Sequence, residues 1–197
     1  LLSPSQISLA NQVAQALLNN GAPADKLGWL IGQLSIESSN FTSPLATNFN
    51  NFGGIKFYNQ NTPGVSDGEV SPEGDDYAYY DSIDDFAQDY LRVLNTVGTA
   101  RPLQQTTPQA FVQALKTNGY FGGDLQNYIN IVTTNSAYYL NNVLTNLTAD
   151  VKAAATAATT AATTVATTAK NNPGKTILVV GGILFSLWLL SKHNSNG

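Results

Sequence analysis

Apolar residues recur at helical spacing through most of the first 150 positions. Between Ser5 and Asn20 they fall at Ile7, Ala10, Val13, Ala14, Leu17 and Leu18, and Gly21 can close that helix. Pro23 suits the first turn of a second helix running to about Ser39, whose stripe is Leu27, Leu30, Ile31 and Leu34. The periodicity then stops. Asn48 to Asp76 is rich in Gly, Asn, Pro and Ser and reads as loop with at most a short hairpin. It returns after Ser82, which with Asp85 resembles a capping box ahead of Ile83, Phe86, Tyr90, Val93 and Leu94. Thr107-Pro108 opens a helix with Phe111, Ala114 and Leu115 that Gly119 ends, and Leu125, Tyr128, Ile129 and Val132 begin the last one. Helices, an irregular or small-sheet insertion and more helices make a mainly α (α+β) domain over 1–150.

The remainder of the chain has a different composition. Ala153 to Ala169 is almost only Ala and Thr, too poor in large side chains for a core, so 151–174 reads as a linker. If helical, the 17 residues from Ala153 to Ala169 would span roughly 25 Å at ~1.5 Å each. Asn171-Asn172-Pro173-Gly174 breaks any helix, and Ile177 to Leu190 follows without a charge, between Lys175 and Lys192. A bilayer span takes ~20 residues, and snorkelling lysines bring 175–192 near the lower limit. A transmembrane helix is therefore expected there, with a short polar tail at 193–197. Position rules out a cleavable signal peptide, and lysines at both ends leave the orientation open.

Charge sharpens this division. Residues 1–150 hold all 13 acids and five of the nine bases, a net of −8, whereas 151–197 hold four lysines and no acid. A basic tail suits an anionic membrane surface, and an acidic domain argues against nucleic-acid binding. The absence of cysteine excludes disulfides and thiol nucleophiles. The single histidine, His193, excludes a histidine triad or metal cluster, and no cofactor is expected. Leu1 is too large for routine methionine trimming, so upstream sequence is expected to have been removed or left out.

One acid stands out from the rest. Nine of the 13 lie between Asp67 and Asp89, the pattern of a solvated charge run, but Glu37 has no acidic neighbour between Asp25 and Asp67. It lies seven residues after Leu30 and three after Leu34, so it continues an apolar stripe at the C-terminal end of a helix. Partial desolvation and the helix dipole both disfavour its charged form. A carboxyl that keeps its proton near neutral pH can serve as a general acid. A frayed end with Glu37 in water, or a structural hydrogen bond to the next loop, fits the stripe position equally well.

The residues around it form a longer pattern. Ile36-Glu37-Ser38-Ser39-Asn40-Phe41 leads to Asn50-Asn51-Phe52-Gly53-Gly54-Ile55-Lys56, then to Tyr77-Ala78-Tyr79-Tyr80-Asp81-Ser82. Asn118-Gly119-Tyr120-Phe121-Gly122-Gly123-Asp124 comes last, with Tyr128 soon after. In order and rough spacing, over about residues 5–135, this resembles the glucosaminidase domains of glycoside hydrolase family 73. The Asn-Asn…Gly-Ile-Lys stretch after a Glu-Ser helix is the most specific part. The resemblance implies a lysozyme-like fold with a small loop or hairpin lobe, and cleavage of peptidoglycan glycan strands. It puts Glu37 on the catalytic acid, Asn51, Gly54 and Lys56 on the loop shaping the groove floor, and Tyr120 on an aromatic lining the site, flanked by Tyr128. Lys56 also reads as a salt-bridge partner, the glycines as positive-φ positions, and both tyrosines as core. The family's second acid falls between Asn59 and Asp76, where Glu73, in Ser71-Pro72-Glu73-Gly74, is favoured over Glu69. Asn50, Tyr58 and Tyr79 join Asn51 as expected groove-lining groups, because a domain of net negative charge must hold anionic peptidoglycan through aromatics and amides.

The implied activity is a membrane-anchored endo-N-acetylglucosaminidase acting on β-1,4 bonds. A lytic transglycosylase or muramidase on the same fold, and a non-catalytic tethered wall-binding protein, are the alternatives. The expected partners are peptidoglycan and, through the tail, a lipid membrane. A setting in a bacterial envelope or a phage virion with an internal membrane adds other virion or envelope proteins.

Overall fold

The computed structural model describes residues 1–70 and 74–144, together with 147, 149, 151, 153, 156, 179–180 and 183–184. Helix α1 (Pro4–Asn19) begins on a reciprocal capping box, in which the Ser3 hydroxyl accepts from the Gln6 amide while the Gln6 side chain accepts from the Ser3 amide. The expected second helix is shorter than its apolar spacing predicts. Pro23 leads into a 3₁₀ turn (Ala24–Lys26), and α2 covers Leu27–Glu37. It stops because Ser39, Asn40 and Phe41 all have positive φ, reversing the chain at once.

Helix α2 is also more buried than a one-sided stripe implies. Gly28, Trp29, Gly32, Gln33 and Ser35 are buried along with the apolar residues, so α2 is the central helix and its polar side chains need internal partners. Gly32 sets the contact with α6 (Leu125–Asn142). A Cβ there would lie 2.6 Å from Ser136 Oγ and 2.7 Å from the Val132 carbonyl, so only glycine lets the two backbones approach this closely. The Asn135 amide donates to Ser35 Oγ at 2.8 Å, and one end of α6 reaches Glu37 through Tyr128.

Two elements occupy the stretch expected to be irregular and the residues just before it. Helix α3 (Pro44–Phe49) was not anticipated, although Ser43 followed by Pro44 supplies a capping serine and a first-turn proline. Strands β1 (Val65–Val70) and β2 (Asp76–Tyr80) form the short hairpin, with Val65 opposite Tyr80 and a register shift between Asp67 and Val70. Helices α4 (Ile83–Thr96) and α5 (Pro108–Thr117) start on Ser82 and Thr107 as the caps predict. The core joins α1, α2, α4, α5 and α6, with Phe52, Phe86 and Tyr80 bridging to the hairpin side through edge-on aromatic contacts.

The linker and the expected spanning helix at 175–192 lie almost wholly outside the described residues. Val151, Ala153 and Thr156 of the linker are helical, and the four residues described within 175–192 are extended, with Val179–Val180 (β3) paired to Ile183–Leu184 (β4). Among the described residues no helix is long and apolar enough to cross a membrane.

Candidate active site

Glu37 is the last residue of α2, half-buried, on a cleft of about 780 Å³. Gly53, Gly54, Lys56 and Tyr120 line the same cleft. Ser38 closes the helix below it, its hydroxyl donating to the Leu34 carbonyl at 2.6 Å and accepting from the Phe41 amide at 2.9 Å. The Tyr128 hydroxyl, coming from α6, donates to Glu37 Oε1. Tyr128 is itself fixed, 8% exposed and stacked on Phe121 with ring centres 3.9 Å apart and planes within 8°.

Burial raises the Glu37 pKa above the ordinary glutamate value, overcoming hydrogen bonding to Tyr128 and Gln33, which favours the ionised form. The raised direction is the one its stripe position implies. Gln33, one turn earlier on α2, is a residue the sequence reading missed. It is fully buried, and its amide oxygen accepts from the Tyr90 hydroxyl on α4. Its amide nitrogen has no partner at ordinary hydrogen-bond geometry among the described residues, yet it faces Glu37, Tyr120 and Tyr128 and favours the charged form of each. A buried amide on an otherwise apolar helix, four residues before an acid on the same face, was the available signal.

The loop after α3 is built by Asn51. Its amide nitrogen donates to the Ile55 and Ala78 carbonyls at 2.8 and 2.9 Å, and its oxygen accepts from the Ile55 amide at 2.9 Å. The side chain is 1% exposed, so Asn51 shapes the floor and does not reach a ligand, which corrects its expected place among the groove-lining groups. Asn50 and Tyr79 are also absent from the lining. The Asn50 amide donates to the Tyr80 carbonyl at 2.9 Å, and Tyr79 packs edge-on against Phe49. Tyr58 does line the cleft and is 74% exposed.

Gly54 takes a left-handed φ of +59° with open space where a Cβ would be, so its conformation rather than crowding calls for glycine. Gly53 is crowded, and a Cβ would lie 2.8 Å from the Tyr120 hydroxyl that donates to its own carbonyl, also at 2.8 Å. Lys56 has its nitrogen 2.6 Å from Asp75, the salt-bridge arrangement its sequence context allowed. Glu73 and the side chain of Glu69, the two expected second acids, lie outside the described residues. Among the described residues Glu37 is the one carboxylic acid lining the cleft.

Two solved structures resemble the chain. A type VI secretion system effector–immunity complex from Pseudomonas protegens matches with a TM-score of 0.50 and 22% identity, over 68% of this chain and 96% of the other. A peptidoglycan hydrolase from Sphingomonas sp. A1 matches with a TM-score of 0.45 and 21% identity, over 64% and 81%. The first likeness shows a shared fold. No curated protein matches the chain in sequence. The glucosaminidase family, described as mannosyl-glycoprotein endo-β-N-acetylglucosaminidase, matches residues 10–172, further along than the motifs that reach about residue 135. With four fifths of its length in that match, the chain belongs to the glucosaminidase family of glycoside hydrolases.

Proposed function

We propose that the protein hydrolyses β-1,4 bonds of peptidoglycan on the reducing side of N-acetylglucosamine, with Glu37 as the general acid. The observation that carries this reading is a partly buried glutamate of raised pKa, fixed by Tyr128 at the edge of a cleft large enough for sugar rings. Glu37 gives its proton to the glycosidic oxygen as the bond to C1 breaks and positive charge develops on the ring. Water adds at C1 and loses its proton either to Glu73 or, after attack by the substrate's own acetamido oxygen, to the Glu37 carboxylate. The acetamido route ends with Glu37 protonated again, whereas the Glu73 route leaves the proton on Glu73, and Glu37 regains one by exchange with solvent before the next turnover.

The Glu37→Gln variant keeps the shape and loses the proton. It is expected to drop turnover about 10²- to 10⁴-fold while still sedimenting with cell walls. Substantial lysis by this variant would refute the assignment. Mass spectrometry of the fragments identifies the bond, because hydrolysis as proposed leaves new reducing N-acetylglucosamine. A second reading, a lytic transglycosylase, draws support from Glu37 being the one cleft acid among the described residues, since that reaction needs a single carboxyl; its products carry 1,6-anhydro ends. Reducing N-acetylmuramic acid would mark a muramidase.

The uncharged segment at 177–190 and its flanking lysines support membrane tethering, in a bacterial envelope or a phage virion with an internal membrane. The full chain should float with liposomes, and a chain ending at Gly174 should not.

A further inference from the structure

An acidic domain that cuts an anionic polymer needs a local cationic contact, and one is built into the cleft. Arg92 on α4 lines it, with a side chain 38% exposed. Its Nε donates to Asp89 Oδ1 at 2.6 Å, and Asp89 is fully buried. The same carboxylate accepts from the Thr62 hydroxyl at 3.0 Å, the Tyr80 hydroxyl at 2.9 Å and the Gln60 amide at 3.3 Å. Gln60 in turn accepts from the Tyr58 backbone amide at 2.7 Å. One buried acid thus braces both the loop that carries Tyr58 and the guanidinium of Arg92.

Two consequences follow for the surface. Asp89 occupies only the Nε of Arg92, and the two terminal nitrogens have no partner among the described residues. A guanidinium held in this way presents an end-on fork that matches the two oxygens of a carboxylate. On the same cleft the Tyr58 ring, 74% exposed, offers an apolar face of the size of a pyranose ring. A salt bridge made only for stability has no need of a cleft. Lys56, the other cation on the cleft among the described residues, already has Asp75 at 2.6 Å.

We infer that Tyr58 and Arg92 form a subsite for a sugar carrying a carboxylate-bearing substituent, the ring stacking on Tyr58 and the carboxylate pairing with the Arg92 Nη nitrogens. This deepens the peptidoglycan reading and rests on it for the identity of the substrate. It also accounts for how a domain of net negative charge selects an anionic glycan: recognition is local, within the ~8 Å over which charges act at physiological salt.

The test is equilibrium binding to the full chain carrying Glu37→Gln, in which turnover is slow against the time of the binding measurement. The probes are soluble peptidoglycan fragments with free peptide carboxylates and the same fragments with those carboxylates amidated. Free fragments should bind about tenfold tighter, and the ratio should shrink as salt is added. Adding Arg92→Met should bring the ratio to about one with the amidated affinity unchanged. Arg92→Lys, which keeps a charge beside Asp89 and guards against misfolding, should leave a ratio of about threefold. Tyr58→Ala should weaken both probes equally. Equal binding of the two probes before Arg92 is altered, or a ratio unchanged in Arg92→Lys, overturns the subsite. If carboxylate selectivity holds while the unaltered protein releases no sugar, the hydrolase reading fails and the subsite stands. If free and amidated glycans are cut with equal KM, the subsite fails and the hydrolase reading stands.

Discussion

Replacing Tyr128 with phenylalanine removes one oxygen from the site and little else. The ring remains wedged against Phe121, 3.9 Å away and nearly parallel, so α6 should keep its seat on α2. What disappears is the donor to Glu37 Oε1. A hydrogen bond to an ionised carboxylate contributes about 1.5–3 kcal/mol, and one to a neutral carboxyl about 0.5–1.5 kcal/mol. The donation lowers the Glu37 pKa, so it stabilises the fold more once Glu37 has ionised. Tyr128→Phe should therefore cost about 2 kcal/mol where Glu37 is ionised and about 1 kcal/mol where it is protonated. Urea unfolding on the alkaline and acid sides of the Glu37 titration measures both values. In turnover, the carboxyl holds its proton more firmly without this donor, so the alkaline limb of the pH–rate profile should move up and kcat should fall as the carboxyl loses its orientation. A cost identical on both sides, or an alkaline limb that moves down, would refute the account of Tyr128 as a partner of the ionised acid.

Other expectations follow from the same geometry. Because burial raises the folded pKa of Glu37 above 4.5, the fold favours the protonated form. Stability from this group is fully present below that value and is lost as pH rises through the folded pKa. Glu37→Gln should thus melt higher than the unaltered protein at neutral pH, with the gain vanishing in acid, while activity is lost. Asn51→Ala removes three buried hydrogen bonds and should destabilise by about 3 kcal/mol or more in denaturant unfolding. Gln33→Met keeps the volume but strands the buried Tyr90 hydroxyl, costing about 1–3 kcal/mol. It also removes an amide that favours ionised Glu37, so the alkaline limb of the pH–rate profile should rise.

The helices with one apolar face and a capping serine or threonine were legible in the chain, because local spacing and a cap decide them. Glu37 was legible for the opposite reason, as an acid where the stripe calls for an apolar residue. The motif around Asn51 marked the right loop without revealing whether its amide pointed out or in. Short α3 was hidden because a six-residue helix leaves too little periodicity to read. The all-round burial of α2 was hidden because its polar residues are covered by helices distant in sequence.

The sequence by itself determined where α1, α4 and α5 begin, which acid is out of place and where the composition changes. Tertiary structure alone decided what the polar groups touch. Tyr90 meets Gln33 across 57 residues, Tyr120 meets Gly53 across 67 and Tyr128 meets Glu37 across 91. Such pairs are fixed by the close approach at Gly32 and by packing of the core, and no local rule of spacing carries that information. The same holds for Arg92, whose Nη nitrogens, unpartnered among the described residues, become visible only once Asp89 is seen to be buried and shared.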